Sequence, residues 1–302
     1  MTHYDLIAQN KRKSWFIIAI FMLFVIVSTY VITYAFNLNI GIVEIAIVFS
    51  ILMSFTSYWW SDKIILSISR ARPATREEFF DFYTIAENLS IGQRMKTPKL
   101  YVIDDMAMNA FATGRDPDHA VICATTGILK RLNREELEGV IAHELSHVEN
   151  YDIRLMSIVV VLVGLIALLS DWMLRITFWG GGRRRNDDRD KNGQLEVLFM
   201  VLGLVFAILS PVIAQLIQLA ISRRREFLAD ASGVGITKNP EGLAKALEKI
   251  SQDQIPLAEA TNATAHLFIA NPFKKDQNAL GWLTNLFNTH PPIADRIQAL
   301  RR

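Results

Sequence analysis

From Ser14 to Phe36 the chain carries no charged residue. A run of that length exceeds the roughly 20 residues a helix needs to cross the hydrocarbon core of a bilayer. A second run, Gly41 to Trp60, has only Glu44 near its start. It ends on Tyr58, Trp59 and Trp60, the aromatic cluster expected where a span meets the headgroups. Two more apolar runs follow, Leu155 to Leu169 and Leu195 to Ile221. In a chain of 302 residues that is 51% hydrophobic, with mean hydropathy +0.23, the apolar residues are bunched rather than spread. The pattern predicts a mainly α, polytopic membrane protein. A cleaved leader is disfavoured, because the first run is too long and a second span follows at once.

The flanks set an expected topology. Lys11, Arg12 and Lys13 precede the first run, and Lys63, Arg70, Arg72 and Arg76 follow the second. The positive-inside rule puts both ends of this pair in the cytoplasm. If the later two runs also cross, both termini and all soluble sequence share that side. One stretch disagrees: residues 175–194 carry Arg175, Arg183, Arg184, Arg185, Arg189 and Lys191, which full crossing would translocate. A hairpin that dips in and returns gives the same juxtaposition. A net charge of +2 gives no reason to propose a nucleic-acid partner. The single cysteine, Cys123, excludes an internal disulfide.

Between the second and third runs the sequence is soluble in character. Thr75 and Glu78 have capping-box spacing and open a helix that ends near Gly92. Lys99–Ile103, Asn109–Thr113 and His119–Cys123 read as three short strands. Asn133 and Glu136 form a second capping box, with Leu137, Val140, Ile141, Leu145 and Val148 at helical spacing behind it. Late in the chain, Asn239-Pro240 opens another helix.

The helix after Asn133 contains His143-Glu144-Leu145-Ser146-His147. Imidazoles four residues apart lie on one helical face and can reach one cation, while Glu144, about 100° round, can touch a water bound to it. A catalytic zinc takes three protein ligands and keeps one position for water. Of the other histidines, His3 precedes the first apolar run, His119 lies in an expected strand, and His266 and His290 are near the C-terminus. The carboxylate candidates are Glu226 and Asp230, again four apart on a helix. One could bind metal while the other accepts a hydrogen bond from the far nitrogen of a ligand histidine.

Taken together, these residues resemble the HtpX-like membrane metallopeptidases of bacteria, distant relatives of the prenyl-protein CAAX proteases. The resemblance rests on Asn109-Ala-Phe-Ala112, on the His143–His147 motif followed by Asn150 and Asp152, and on Arg225-Glu-Phe-Leu-Ala-Asp230. It continues in Thr289-His-Pro-Pro-Ile293 with Arg296; Phe227, often Tyr in the family, is a minor departure. It implies a gluzincin-like α+β catalytic domain, a small sheet plus the motif helix, interrupted by a hydrophobic helical hairpin. The expected parts are a helical pair at 1–62, catalytic sequence at 63–154, the hairpin at 155–221 and the remaining catalytic sequence at 222–302. It also implies one zinc ion per chain on His143, His147 and Glu226, Glu144 as catalytic base, and Asp230 on a ligand histidine.

The expected substrates are damaged or misassembled membrane proteins, and the expected location is the cell membrane. His290, stiffened by two prolines, is a candidate donor to the reaction's oxyanion. Asn109, Ala110 and Phe111 on a sheet edge are candidates to pair with an extended substrate, with Arg296 nearby. The rival readings are an isoprenyl-protein endoprotease and a non-catalytic, zinc-stabilised scaffold or holding chaperone. Glu144, which a structural zinc site does not need, argues against the last.

Overall fold

The computed structural model describes residues 3–35, 39–165, 223–258, 260–261, 264–270, 272 and 291–302. Most of the expected hairpin, and His290, lie outside the described residues. Two long helices open the chain, α1 (His3–Ala35) and α2 (Gly41–Ile68), packed along one another. Both turn apolar side chains outward: Phe16, Leu23 and Val27 on α1, and Ile45, Val48, Leu52 and Phe55 on α2. Among the described residues, one helical stretch, Val43–Ile68, is long and apolar enough to cross a membrane, and 22% of its most apolar part is buried. A core helix would show the converse. One of the four expected spans is thus present by length and composition among the described residues.

A four-stranded mixed sheet follows. Its strands are β1 (Arg72–Pro73), β2 (Lys99–Ile103), β3 (Ala110–Thr113) and β4 (Val121–Thr125), in the order β1-β2-β4-β3. β2 and β4 are parallel, and the outer pairings are antiparallel. The period of two sends alternate side chains to two different cores. Leu100, Val102, Ala110, Ala112, Ile122 and Ala124 face a helical layer made by α3 (Phe80–Gly92), α5 (Arg134–Glu149) and α8 (Pro240–Gln252). Ile103, Phe111, Val121 and Cys123 face Ile65 and Leu66 of α2, with Met156 and Val160. These last two belong to a helical stretch, α6, described over residues 152–165. The expected boundary at residue 62 therefore falls inside α2, whose last turns are part of the sheet's lower face. Leu155, Ile158, Val159 and Leu162 of α6 pack against Ile17, Ile18 and Phe21 of α1.

The capping readings divide. At α5 both reciprocal bonds are present, Glu136 N–H to Asn133 Oδ1 at 2.9 Å and Asn133 N–H to Glu136 Oε2 at 2.8 Å. Asn239 caps α8 through Gly242 N–H at 3.1 Å. The Thr75–Glu78 pair instead makes a turn, and α3 begins at Phe80. The reason is electrostatic: Arg72 takes the Glu78 carboxylate in a two-point pair, at 2.8 and 2.5 Å, and holds Asp104 as well. Helix α4 (Thr126–Arg131), capped by Thr125, was not expected. Helix α7 (Arg223–Thr237) and the closing helix α9 (Ile293–Leu300) complete the described α-helices. Gly139 is explained by packing: a Cβ there would lie 2.7 Å from the Leu243 nitrogen, so α5 and α8 touch backbone to backbone. The helix-propensity cost of glycine, about 1 kcal/mol, is the smaller effect beside such a clash.

Candidate metal centre

Helix α5 is buried along almost its whole length, with His143 1%, Glu144 2% and His147 6% exposed. Helix α7 lies against it and carries Glu226, also buried. Gly233 of α7 makes the approach possible: a Cβ there would sit 3.1 Å from the His143 nitrogen. The two Nε2 atoms are 3.2 Å apart. The Glu226 carboxylate lies 3.8 Å from His143 Nε2 and 3.7 Å from His147 Nε2. Among the described residues this trio is the group whose donor atoms, all within 4.8 Å of one another, could hold a metal. A tetrahedral zinc with bonds of about 2.0–2.1 Å separates its ligands by about 3.3 Å. The observed spacings lie close to that value, so the trio fits such an ion.

Each histidine is oriented from behind. His143 Nδ1 is 2.9 Å from Asp230 Oδ1, and His147 Nδ1 is 3.0 Å from Asp152 Oδ2. A carboxylate on the far nitrogen fixes the tautomer that leaves Nε2 free to bind a cation. Asp152 reaches back because the chain turns sharply after α5, where Tyr151 has φ +60°. Asp230 is held in turn by Arg296 of α9, through Nε at 2.8 Å and a terminal nitrogen at 2.6 Å. Burial opposes the charged form of Asp230, but the Arg296 and His143 hydrogen bonds outweigh it and bring its pKa down to about 2.

Burial lowers the pKa of His143. Burial also works against a charged His147, but the Asp152 hydrogen bond and the Glu226 charge outweigh it and raise that ring to about 9. A cation between the rings would displace the proton. Glu144 is pushed up to about 7, chiefly by burial. A carboxyl poised near neutrality suits a group that must take and return a proton.

The other expected site residues fall as follows. Asn109, Ala110 and Phe111 are enclosed. Asn109 Nδ2 donates to the Ala270 carbonyl at 3.0 Å, Ile269 N–H donates to the Ala110 carbonyl at 3.0 Å, and the Phe111 ring packs on Phe268 at 5.2 Å. The start of the β3 edge is thus covered by residues 268–270, and the edge meets the centre at Ala112, whose backbone faces the Glu144 carboxylate. Arg296, expected beside a substrate, has no exposed surface and serves as counter-ion to Asp230. His119 lies away from the centre, paired with Asp116 at 2.6 Å.

Two contributors were not foreseen as such. Asp152 was noted only as part of a motif, with no role. Asn10 of α1 was not singled out at all. It is buried, and its amide donates to Asp152 Oδ1 at 2.7 Å and to the Asn150 carbonyl at 2.9 Å. Arg225 adds a third contact to Asp152, on Oδ1 at 3.1 Å. An asparagine just before three basic residues and a long apolar run gives no sequence signal of this. Replacing Asn10 by alanine is expected to weaken metal retention on the order of tenfold, as loss of outer hydrogen bonds to metal-binding histidines does. Competition with a chelator reads this directly, and unchanged retention would sever α1 from the site.

The sequence profile of Peptidase family M48 matches residues 82–302. A "Protease HtpX homolog" of Caldanaerobacter subterraneus is 46% identical over 302 residues, covering 99% of this chain and 97% of that one. Another, of Streptococcus uberis, is 43% identical and covers 99% of both chains. The crystal structure of S. mikatae Ste24p aligns with TM-score 0.50 at 18% identity, over 99% of this chain and 67% of that one, a likeness of fold alone. With the donor trio, the adjacent carboxyl and these relatives in view, the chain belongs to peptidase family M48, among the HtpX proteases.

Proposed function

We propose that this protease is a multi-pass membrane endopeptidase that uses one zinc ion to cleave misfolded or damaged membrane proteins, with its catalytic domain and both termini in the cytoplasm. The observation that carries the reading is the convergence of His143, His147 and Glu226 at zinc-like spacings beside the separate carboxyl of Glu144. A zinc ion held there supplies a Lewis acid and, near neutral pH, an activated water. Glu144 would take a proton from the attacking water as the water oxygen bonds to the scissile carbonyl carbon. It passes the proton to the amine nitrogen as the C–N bond breaks. Ala112 lies against Glu144, so a peptide pairing with the β3 edge there would carry its carbonyl across the base. His290 remains the candidate donor to the oxyanion in this reading, and its replacement by alanine is the test of that role.

The apolar faces of α1 and α2, and the packing of α2 into the sheet, support a substrate that approaches along the bilayer. Glu226→Ala protein, purified in detergent, is expected to lose both metal and casein cleavage, since a three-donor site becomes a two-donor one. Normal zinc content in that variant would move the third ligand elsewhere. Topology is read by impermeant thiol labelling of intact cells, using Cys123→Ser protein with a cysteine at Arg184 or at the exposed Gln254. Labelling at position 184 and protection at 254 is expected. Labelling at 254 alone would reverse the orientation.

A further inference from the structure

Where α2 leaves its apolar stretch, an open cavity of about 550 Å³ lies between the helix and the catalytic domain. Helix α2 contributes Phe55, Trp59, Trp60 and Lys63, and the domain contributes Lys96, Lys99 and Arg115. Two features distinguish this from a generic basic surface. First, Ile51, Phe55, Trp59 and Lys63 are spaced by four and so lie along one helical face. The first three are exposed, at 50%, 52% and 41%. The face passes from aliphatic to aromatic to cationic over about three turns, or roughly 18 Å, in the order acyl chain, glycerol region, headgroup.

Second, the cations converge from separate elements onto the end of that stripe. Lys63 comes from α2, Lys96 from the approach to β2, Lys99 from its first residue, and Arg115 from the turn after β3, its guanidinium 4.6 Å over the Trp59 ring. Arg115 also pairs with Asp116 at 3.3 Å. Lys63, Lys96 and Lys99 have no carboxylate within ion-pair distance among the described residues. Asp62 and Asp118 also line the cavity, so with Asp116 on Arg115 four cations face three carboxylates and the balance is still positive.

We propose that this cavity binds the headgroup of an anionic glycerophospholipid, with one acyl chain along Ile51, Phe55 and Trp59. The proposal rests on the reading of α2 as a membrane span. The phosphate would take the lysine charges, and the apolar stripe would distinguish a lipid from a free phosphate.

The test uses the full chain, purified in detergent and stripped of lipid. Native mass spectrometry then measures retention of phosphatidylglycerol against phosphatidylcholine of the same chain length, supplied in equal amounts. Wild-type protein is expected to prefer the anionic lipid. Lys63→Gln/Lys96→Gln/Lys99→Gln protein is expected to lose that preference by tenfold or more, since each basic residue near a membrane surface contributes about a fivefold attraction. All three lysines are exposed, and retained casein cleavage with unchanged circular dichroism shows the variant folded. Equal retention of the two lipids by wild type overturns the proposal, as does an undiminished preference in the triple variant. Displacement of the lipid by millimolar glycerol 3-phosphate would make this a soluble-phosphate site and also overturn it. Release of the protein from membranes by alkaline carbonate would instead overturn the membrane reading beneath it.

Discussion

Glu144→Gln protein is expected to purify with about one metal ion per chain and to cleave casein at least 10²-fold more slowly, within the 10²–10⁴-fold range for removal of a positioned acid–base group. Metal content should survive because Glu144 is not among the three donor groups. The amide is close in shape to the carboxyl and can still meet the Ala112 backbone, so the helix keeps its packing. What it cannot do is accept the proton of the attacking water. Elemental analysis and initial cleavage rates on the same preparation separate the two properties. Turnover at the wild-type rate would sink the mechanism. Loss of metal together with activity would make Glu144 a ligand rather than a base.

The second large effect is expected at Arg296. Its side chain has no exposed surface and makes a two-point pair with the buried Asp230. Arg296→Met removes one charge and strands the other, a change that costs about 3–5 kcal/mol when an interior pair is broken. For a chain of this size that corresponds to a fall in Tm of roughly 10 °C. Asp230→Leu/Arg296→Met removes both charges together and is expected to recover most of that loss. Metal retention should not recover, because His143 Nδ1 has lost its acceptor. The pair thereby separates stability from site geometry. A double variant as unstable as the single one would mean that Arg296 acts through the Ile269 carbonyl or the Glu226 carboxylate instead.

Much of the site was legible because helices report themselves by spacing. His143 and His147 at i, i+4, and Glu226 and Asp230 likewise, place donors on faces that the structure brings together. Strand Lys99–Ile103 runs over the expected residues, and β3 starts one residue later than expected. β4 was expected two residues too early, because Asp116 caps a short 3-10 turn at Pro117–His119 that uses up the start of the run. Side-chain competition was harder to see. Nothing local to Thr75 and Glu78 shows that Arg72 will take the glutamate. Long-range polar contacts left no trace at all: Asn10 lies 142 positions from Asp152. The same holds for residues 268–270, whose cover over the start of β3 has no periodic signature.

The contact between Asn10 and Asp152 makes the depth of α1 a property of the catalytic centre. A helix advances about 1.5 Å per residue, and the Asn10 amide meets its acceptors at 2.7 and 2.9 Å. Sliding α1 by a single residue along its axis would shift the amide by about 1.5 Å against acceptors fixed on the catalytic domain, lengthening or misaligning both bonds. In the multi-pass reading proposed for this protein, bilayer thickness pulls on α1 with a fraction of a kcal/mol per ångström of mismatch. The opposing restraint is the partner of a metal-site histidine. On that reading the first helix is less a tether that floats with the lipid than a strut cut to length, its foot standing on Asp152 behind His147.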